Sequence, residues 1–152
     1  MDPAALGPFV GTWSGVWRTW VEPEILHDES PIQAESRTLL GGRDLLYSYT
    51  ASIGGDPVEG TALFGPRQGG GCTVAWVDSW HTSGLVMVSH GAWTPLGIEV
   101  AAEYQAEGET WTWRTGITLD GGRLVVRHWN QGPQVPRYLG VEAILERAKG
   151  VA

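Results

Sequence analysis

Apolar and polar residues alternate along most of this chain, in stretches of roughly seven to ten residues, the period of a half-buried strand. Leu45, Tyr47, Tyr49, Ala51 and Ile53 share one face of such a stretch. Ile98, Val100, Ala102 and Tyr104 share another, opposite Glu99, Ala101, Glu103 and Gln105. Leu139, Val141, Ala143, Leu145 and Arg147 form a third, opposite Glu142 and Glu146. The pattern predicts ten strands: 11–21, 32–40, 44–53, 60–64, 72–80, 85–90, 97–105, 110–119, 123–130 and 138–147. A single short helical turn is expected over Ala4 to Val10, and Glu22 to Pro31 is expected as an irregular loop.

Turn signals separate the strands: Gly41-Gly42, Gly54-Gly55-Asp56-Pro57, Gly65-Pro66, Gly69-Gly70-Gly71, Ser83-Gly84, Thr94-Pro95, Glu107-Gly108 and Asp120-Gly121-Gly122. Short turns between consecutive strands predict an antiparallel meander. Its two bare edges are removed when the sheet closes on itself. The expected architecture is therefore all-β, a ten-strand antiparallel up-and-down β-barrel filling one domain, 1–152. Eight strands make a barrel that side chains just fill, so a wider one is expected to keep an interior cavity.

Composition narrows the function classes. The formal charge is −7 with a single lysine, Lys149, which argues against nucleic acid and against an anionic membrane surface. Met1-Asp2-Pro3 lacks the basic start of a signal peptide, no apolar run reaches the length of a membrane span, and Cys72 has no partner for an internal disulfide. A cytoplasmic protein is the expectation.

Nine tryptophans, at 13, 17, 20, 76, 80, 93, 111, 113 and 129, add the candidate chemistry. Indoles supply flat apolar walls. Trp76, Asp78 and Trp80 alternate, so an interior face would set a carboxylate between two indoles. On the eighth strand either Trp111 and Trp113 or Arg114 faces inward; Arg127 against His128 poses the same question on the ninth. The histidines show no metal-site spacing, so no metal is expected. His81 and His90 flank one hairpin. Ser79 and Asp78 project to opposite faces of a strand, which disfavours serine catalysis. Trp20 and Trp93 are candidates for a homodimer patch.

Gly11-Thr12-Trp13 at the first strand and Arg147 late in the last resemble the calycin superfamily of lipocalins and fatty-acid-binding proteins. That resemblance implies a barrel whose closed end is plugged by Trp13 with Arg147 across it. Leu40-Gly41-Gly42-Arg43, Gly55-Asp56-Pro57, Phe64-Gly65-Pro66 and Trp76-Val77-Asp78-Ser79 resemble, in that order, an uncharacterised bacterial family with a calycin-like barrel, which implies a fold and no activity. Gly11 to Gly15 is also similar to the start of haem-binding nitrobindin-type barrels. Those hold haem through a histidine near the C-terminus. The last strand here has none, which leaves His128 as the nearest histidine and no cofactor as the expectation.

The resulting expectation is non-covalent binding of a small hydrophobic or amphiphilic molecule inside the barrel, with Trp17, Tyr49, Trp76, Asp78, Trp80, Tyr104, Arg114 and His128 as wall and head-group residues. The alternatives are a small-molecule isomerase or hydrolase using Asp78 with His90 or His128 as acid–base groups, and haem binding as the nitrobindin resemblance implies.

Overall fold

The computed structural model describes residues 3–148, so Met1, Asp2 and Lys149 lie outside the described residues. Ten antiparallel strands form one closed barrel: β1 (Gly11–Glu22), β2 (Ile25–Leu39), β3 (Asp44–Ile53), β4 (Asp56–Pro66), β5 (Cys72–Asp78), β6 (Met87–Thr94), β7 (Gly97–Ala106), β8 (Glu109–Asp120), β9 (Arg123–Gln131) and β10 (Tyr138–Arg147). Each strand pairs with its chain neighbours. β1 pairs with β10 from Trp13↔Arg147 to Thr19↔Val141, which removes the last free edge.

The alternating faces sort as their side chains demand. Tyr47, Tyr49, Val74, Trp76, Val100, Trp113, Val126 and Val141 are buried inside, while their polar neighbours face water. Burying an indole or a phenol ring removes a large apolar area from solvent, and this supplies most of the closing force. The interior keeps a void of only about 20 Å³, space for a single water. Aromatic side chains fill the extra width that ten strands create.

Four strands differ from expectation. β4 runs Asp56–Pro66 rather than 60–64, because Asp56 and Pro57 already pair with β3. β6 runs Met87–Thr94 rather than 85–90, because it pairs on with β7 to Thr94↔Gly97. The other two are β2 and β5. Glu22 to Pro31 is not a loop: β2 begins at Ile25 and pairs with β1 as far as Glu22↔Ile25, with register shifts around Trp20. Before Gln33 this arm pairs with β1 and not with β3, so Pro31 sits in an edge-like segment, where its missing N–H is tolerated. β5 ends at Asp78, not Trp80, and residues 79–86 form a loop before β6.

The end of the barrel at the start of β1 is sealed. A 3-10 helix (Pro3–Phe9) drops Leu6 and Phe9 into it. The Trp13 indole donates to the Phe9 carbonyl at 3.2 Å and to Ser36 Oγ at 3.2 Å. Arg147 lies across the same indole, 4.5 Å from its ring centre, and donates to the Val10 and Pro8 carbonyls at 2.5 and 2.6 Å. Cation–π attraction and charged hydrogen bonds thus tie the last strand to the first. Gly11 allows this approach, because a Cβ there would overlap the guanidinium. Trp20 and Trp93, the candidate dimer residues, are both half-buried, and Trp93 packs against the core. Among the described residues no helix is long and apolar enough to cross a membrane.

Candidate functional site

The interior nearest the 79–86 loop holds the chemistry. Asp78, the last residue of β5, points inward and is 2% exposed. Its carboxylate accepts four hydrogen bonds. Oδ1 takes the Trp80 amide at 3.1 Å and the Thr82 amide at 2.9 Å. Oδ2 takes the Tyr49 hydroxyl at 3.0 Å and His81 Nδ1 at 2.7 Å. The two amide bonds turn the chain sharply after the strand, an aspartate-initiated turn, and this brings His81 back over the barrel interior. Burial pushes the Asp78 carboxyl up, but the bond and charge of His81, the Thr82 amide and the Tyr49 hydroxyl outweigh it and hold the group below its ordinary value. An ionised carboxylate only accepts, so His81 holds a proton on Nδ1; whenever the ring is uncharged, its Nε2 is an acceptor.

Tyr49 reaches Asp78 by crossing β4. Gly60 lies between them in register, Tyr49↔Gly60↔Asp78, and the phenol ring passes over the space a Cβ would fill. The hydroxyl also accepts from the Trp76 indole at 3.1 Å. Burial, then the Asp78 charge, push the phenol pKa up, so it remains a donor. Gly60→Ala is expected to displace the ring and cost about 1–3 kcal/mol, as overpacking does. Urea denaturation checks this; an unchanged midpoint would mean that the ring does not need the gap.

His128 on β9 lies deeper. Its ring stacks on Trp76 at 4.7 Å and on Trp113 at 5.3 Å. Nδ1 accepts from the Trp113 indole at 3.2 Å and lies 2.8 Å from Thr115 Oγ1. An indole N–H can only donate, so the neutral ring carries its proton on Nε2. Burial drives the His128 pKa down to about 3, with the charge of His81 adding to the fall. Both histidines line the void, and neither Nε2 has a hydrogen-bond partner among the described residues. Trp17 closes the cage with its ring 5.7 Å from His81, edge to face.

The other candidate residues fall elsewhere. His90 is exposed on the outer wall, 2.9 Å from Thr73 Oγ1, and does not meet Asp78. Neighbours in a hairpin need not share a face, and His81 is on a loop. Arg114 projects outward because Trp113 and Thr115 take the inner face of β8. Arg127 likewise faces out and pairs with Glu142 at 2.9 Å. Trp80 is not on the face of Trp76; it sits in the loop at the barrel mouth, 38% exposed, with His27 6.4 Å away. Tyr104 is half-buried and donates to Asn130 at 2.8 Å. Ser79 faces out and binds the Glu59 amide at 3.1 Å. Cys72 is buried, and burial pushes its thiol pKa up, away from reactivity. His81 is the functional candidate that strand alternation misses. The string Asp78-Ser79-Trp80-His81-Thr82-Ser83-Gly84 carries its signal, since an aspartate followed by small polar residues and glycine marks a turn.

The interior does not suit haem. Pockets for ligands of that size run to roughly 300–1,000 Å³, against a void of about 20 Å³. His128 Nε2 carries a proton and offers iron no lone pair. Among the described residues no three metal-ligating side chains cluster. A wider hollow of about 660 Å³ lies on the outside of β1–β5, open to water and lined by residues such as Glu35, Ser48, Glu59 and Thr61.

The model of a family of proteins of unknown function, DUF1579, matches residues 3–133. The chain belongs to this family. The DUF1579 match spans the strands that carry Tyr49, Asp78, Trp113 and His128. No curated protein matches the chain. Among solved structures, this DUF1579 barrel is similar to Rv2717c from M. tuberculosis, with 15% identity, 96% of each chain covered and a TM-score of 0.67. That likeness is one of fold.

Proposed function

We propose that this barrel binds a small, largely apolar molecule carrying one polar group, held inside the aromatic cage near the 79–86 loop. The observation that carries the reading is the pair of histidines, His128 buried and His81 half-buried, that line the void with no protein partner at either Nε2 among the described residues. Ring nitrogens without a protein partner at a cavity wall are available to the polar group of a ligand. The likeness of Gly11-Thr12-Trp13 and Arg147 to calycin barrels supports the same reading. The void is small, so a ligand larger than water enters as the cage opens. The 79–86 loop is the segment suited to move: it leaves the ladder, and Leu85 and Val86 are 76% and 63% exposed. Ligand-detected NMR against a panel of small aromatic and aliphatic compounds tests this. Bound compounds should shift the Trp76 and Trp113 indole N–H signals; a panel that leaves both unmoved would sink the proposal.

A second reading is favoured by the Asp78–His81 contact of 2.7 Å. A carboxylate that orients an imidazole and stabilises its charged form makes a general base of the opposite nitrogen. Turnover of an activated ester should then be lost in His81→Gln and kept in His90→Gln. Equal turnover in both variants removes catalysis at this pair.

A further inference from the structure

We infer, building on the binding proposed above, that the interior selects an uncharged head group that both donates and accepts a hydrogen bond, such as a primary amide or an alcohol, and rejects carboxylates and cations. The two free nitrogens set the donor–acceptor pattern. His128 Nε2–H offers a donor, because the Trp113 indole occupies Nδ1. The uncharged His81 ring offers an acceptor at Nε2, because Asp78 holds Nδ1–H. A group with one donor and one acceptor completes both.

Charge is excluded from both directions. An anion would need an unpaired cation inside: no described arginine lines the void, and any charge on His81 is already answered by Asp78 at 2.7 Å. Arg114 and Arg127 face outward, Arg18 pairs with Glu29 at 2.7 Å outside, and Arg147 is committed to the sealed end. The ionised Asp78 beside His81 would repel a carboxylate further. A cation would need a free carboxylate lone pair, and Asp78 has none to spare: the Trp80 and Thr82 amides, the Tyr49 hydroxyl and His81 use its four positions. Either ion would lose its hydration without compensation.

Benzamide, benzoate and benzamidine have nearly the same shape and differ in charge. Titrated near neutral pH by calorimetry, benzamide should bind at least about tenfold more tightly than either ion, the penalty for an uncompensated charge. Octanamide against octanoate repeats the comparison on an aliphatic frame. Benzoate, benzamidine or octanoate binding as well as its amide would overturn the head-group inference and leave the binding proposal standing. No binding by any of the five ends both. Nitrogen-correlated NMR of the histidine rings provides a separate check on the free protein. His128 should show the Nε2–H form and His81 the Nδ1–H form; the reverse pattern at His128 also overturns the inference.

Discussion

Asp78→Ala should lower folding stability by about 3–5 kcal/mol, the cost of breaking a buried charge network from one side. The loss exceeds that of a typical surface hydrogen bond because the carboxylate serves four donors at once. Removing it strands the Tyr49 hydroxyl, His81 Nδ1 and two amides, each costing about 1–3 kcal/mol where water cannot reach it. Relaxation of the 79–86 loop lets water recover the amides, which keeps the total below the simple sum. Asp78→Asn should fall between the variant and the parent, because one amide oxygen remains while the NH₂ group opposes donors. Urea unfolding at neutral pH measures the series. A loss under about 1 kcal/mol for the alanine variant, in the range of a solvent-exposed ion pair, would show that the cluster is not a buried network.

Mild acid should destabilise the protein through His128. The folded-state pKa is about 3, against an ordinary 6.5. Below the ordinary value the unfolded chain takes up a proton that the folded barrel refuses. Stability is therefore full above about pH 6.5 and falls as pH drops toward 3, by up to about 5 kcal/mol across the whole window. Asp78 works in a lower window. Its depressed pKa adds stability above the ordinary carboxylate value, and that is lost as pH falls through the folded-state value. Between about pH 7 and 5 the carboxylates are still charged, so the loss assigned to His128 there is about 2 kcal/mol. Denaturation midpoints over that interval should fall in the parent protein and stay much flatter in His128→Gln. Parallel slopes in the two proteins would remove His128 as the cause. The replacement also leaves Trp113 with an amide oxygen to meet, so the variant keeps its hydrogen bond.

Much of the barrel was legible in the residues. Alternation on β3, β7 and β10 set their inner faces, and glycine pairs such as Gly121-Gly122 marked the hairpins. Closure followed from the need to cover two edges. The arm of β2 before Gln33 was less legible, since a polar, proline-bounded segment reads as loop when its pairing partner is not known. On β8 and β9 the inward choice of Trp113 and His128 over Arg114 and Arg127 was open, because both faces carry residues able to lie inside or outside. Packing decided it: the barrel centre accommodates stacked rings, while a guanidinium there would find Asp78 already taken up by its four donors.

The linear order of residues, taken alone, determined the strand number, the meander and the apolar character of the lumen, because those depend on neighbours one to ten positions apart and on turn chemistry. It also singled out Asp78, Tyr49, Trp76 and His128 as lumen candidates. Only the tertiary structure decided that His81 is Asp78's partner and that Gly60 opens the path for Tyr49. The physical reason is that the period of two holds while the ladder holds. At Asp78 the ladder ends, the carboxylate captures two loop amides, and the direction of the next side chains is set by that turn and by the rings it packs against.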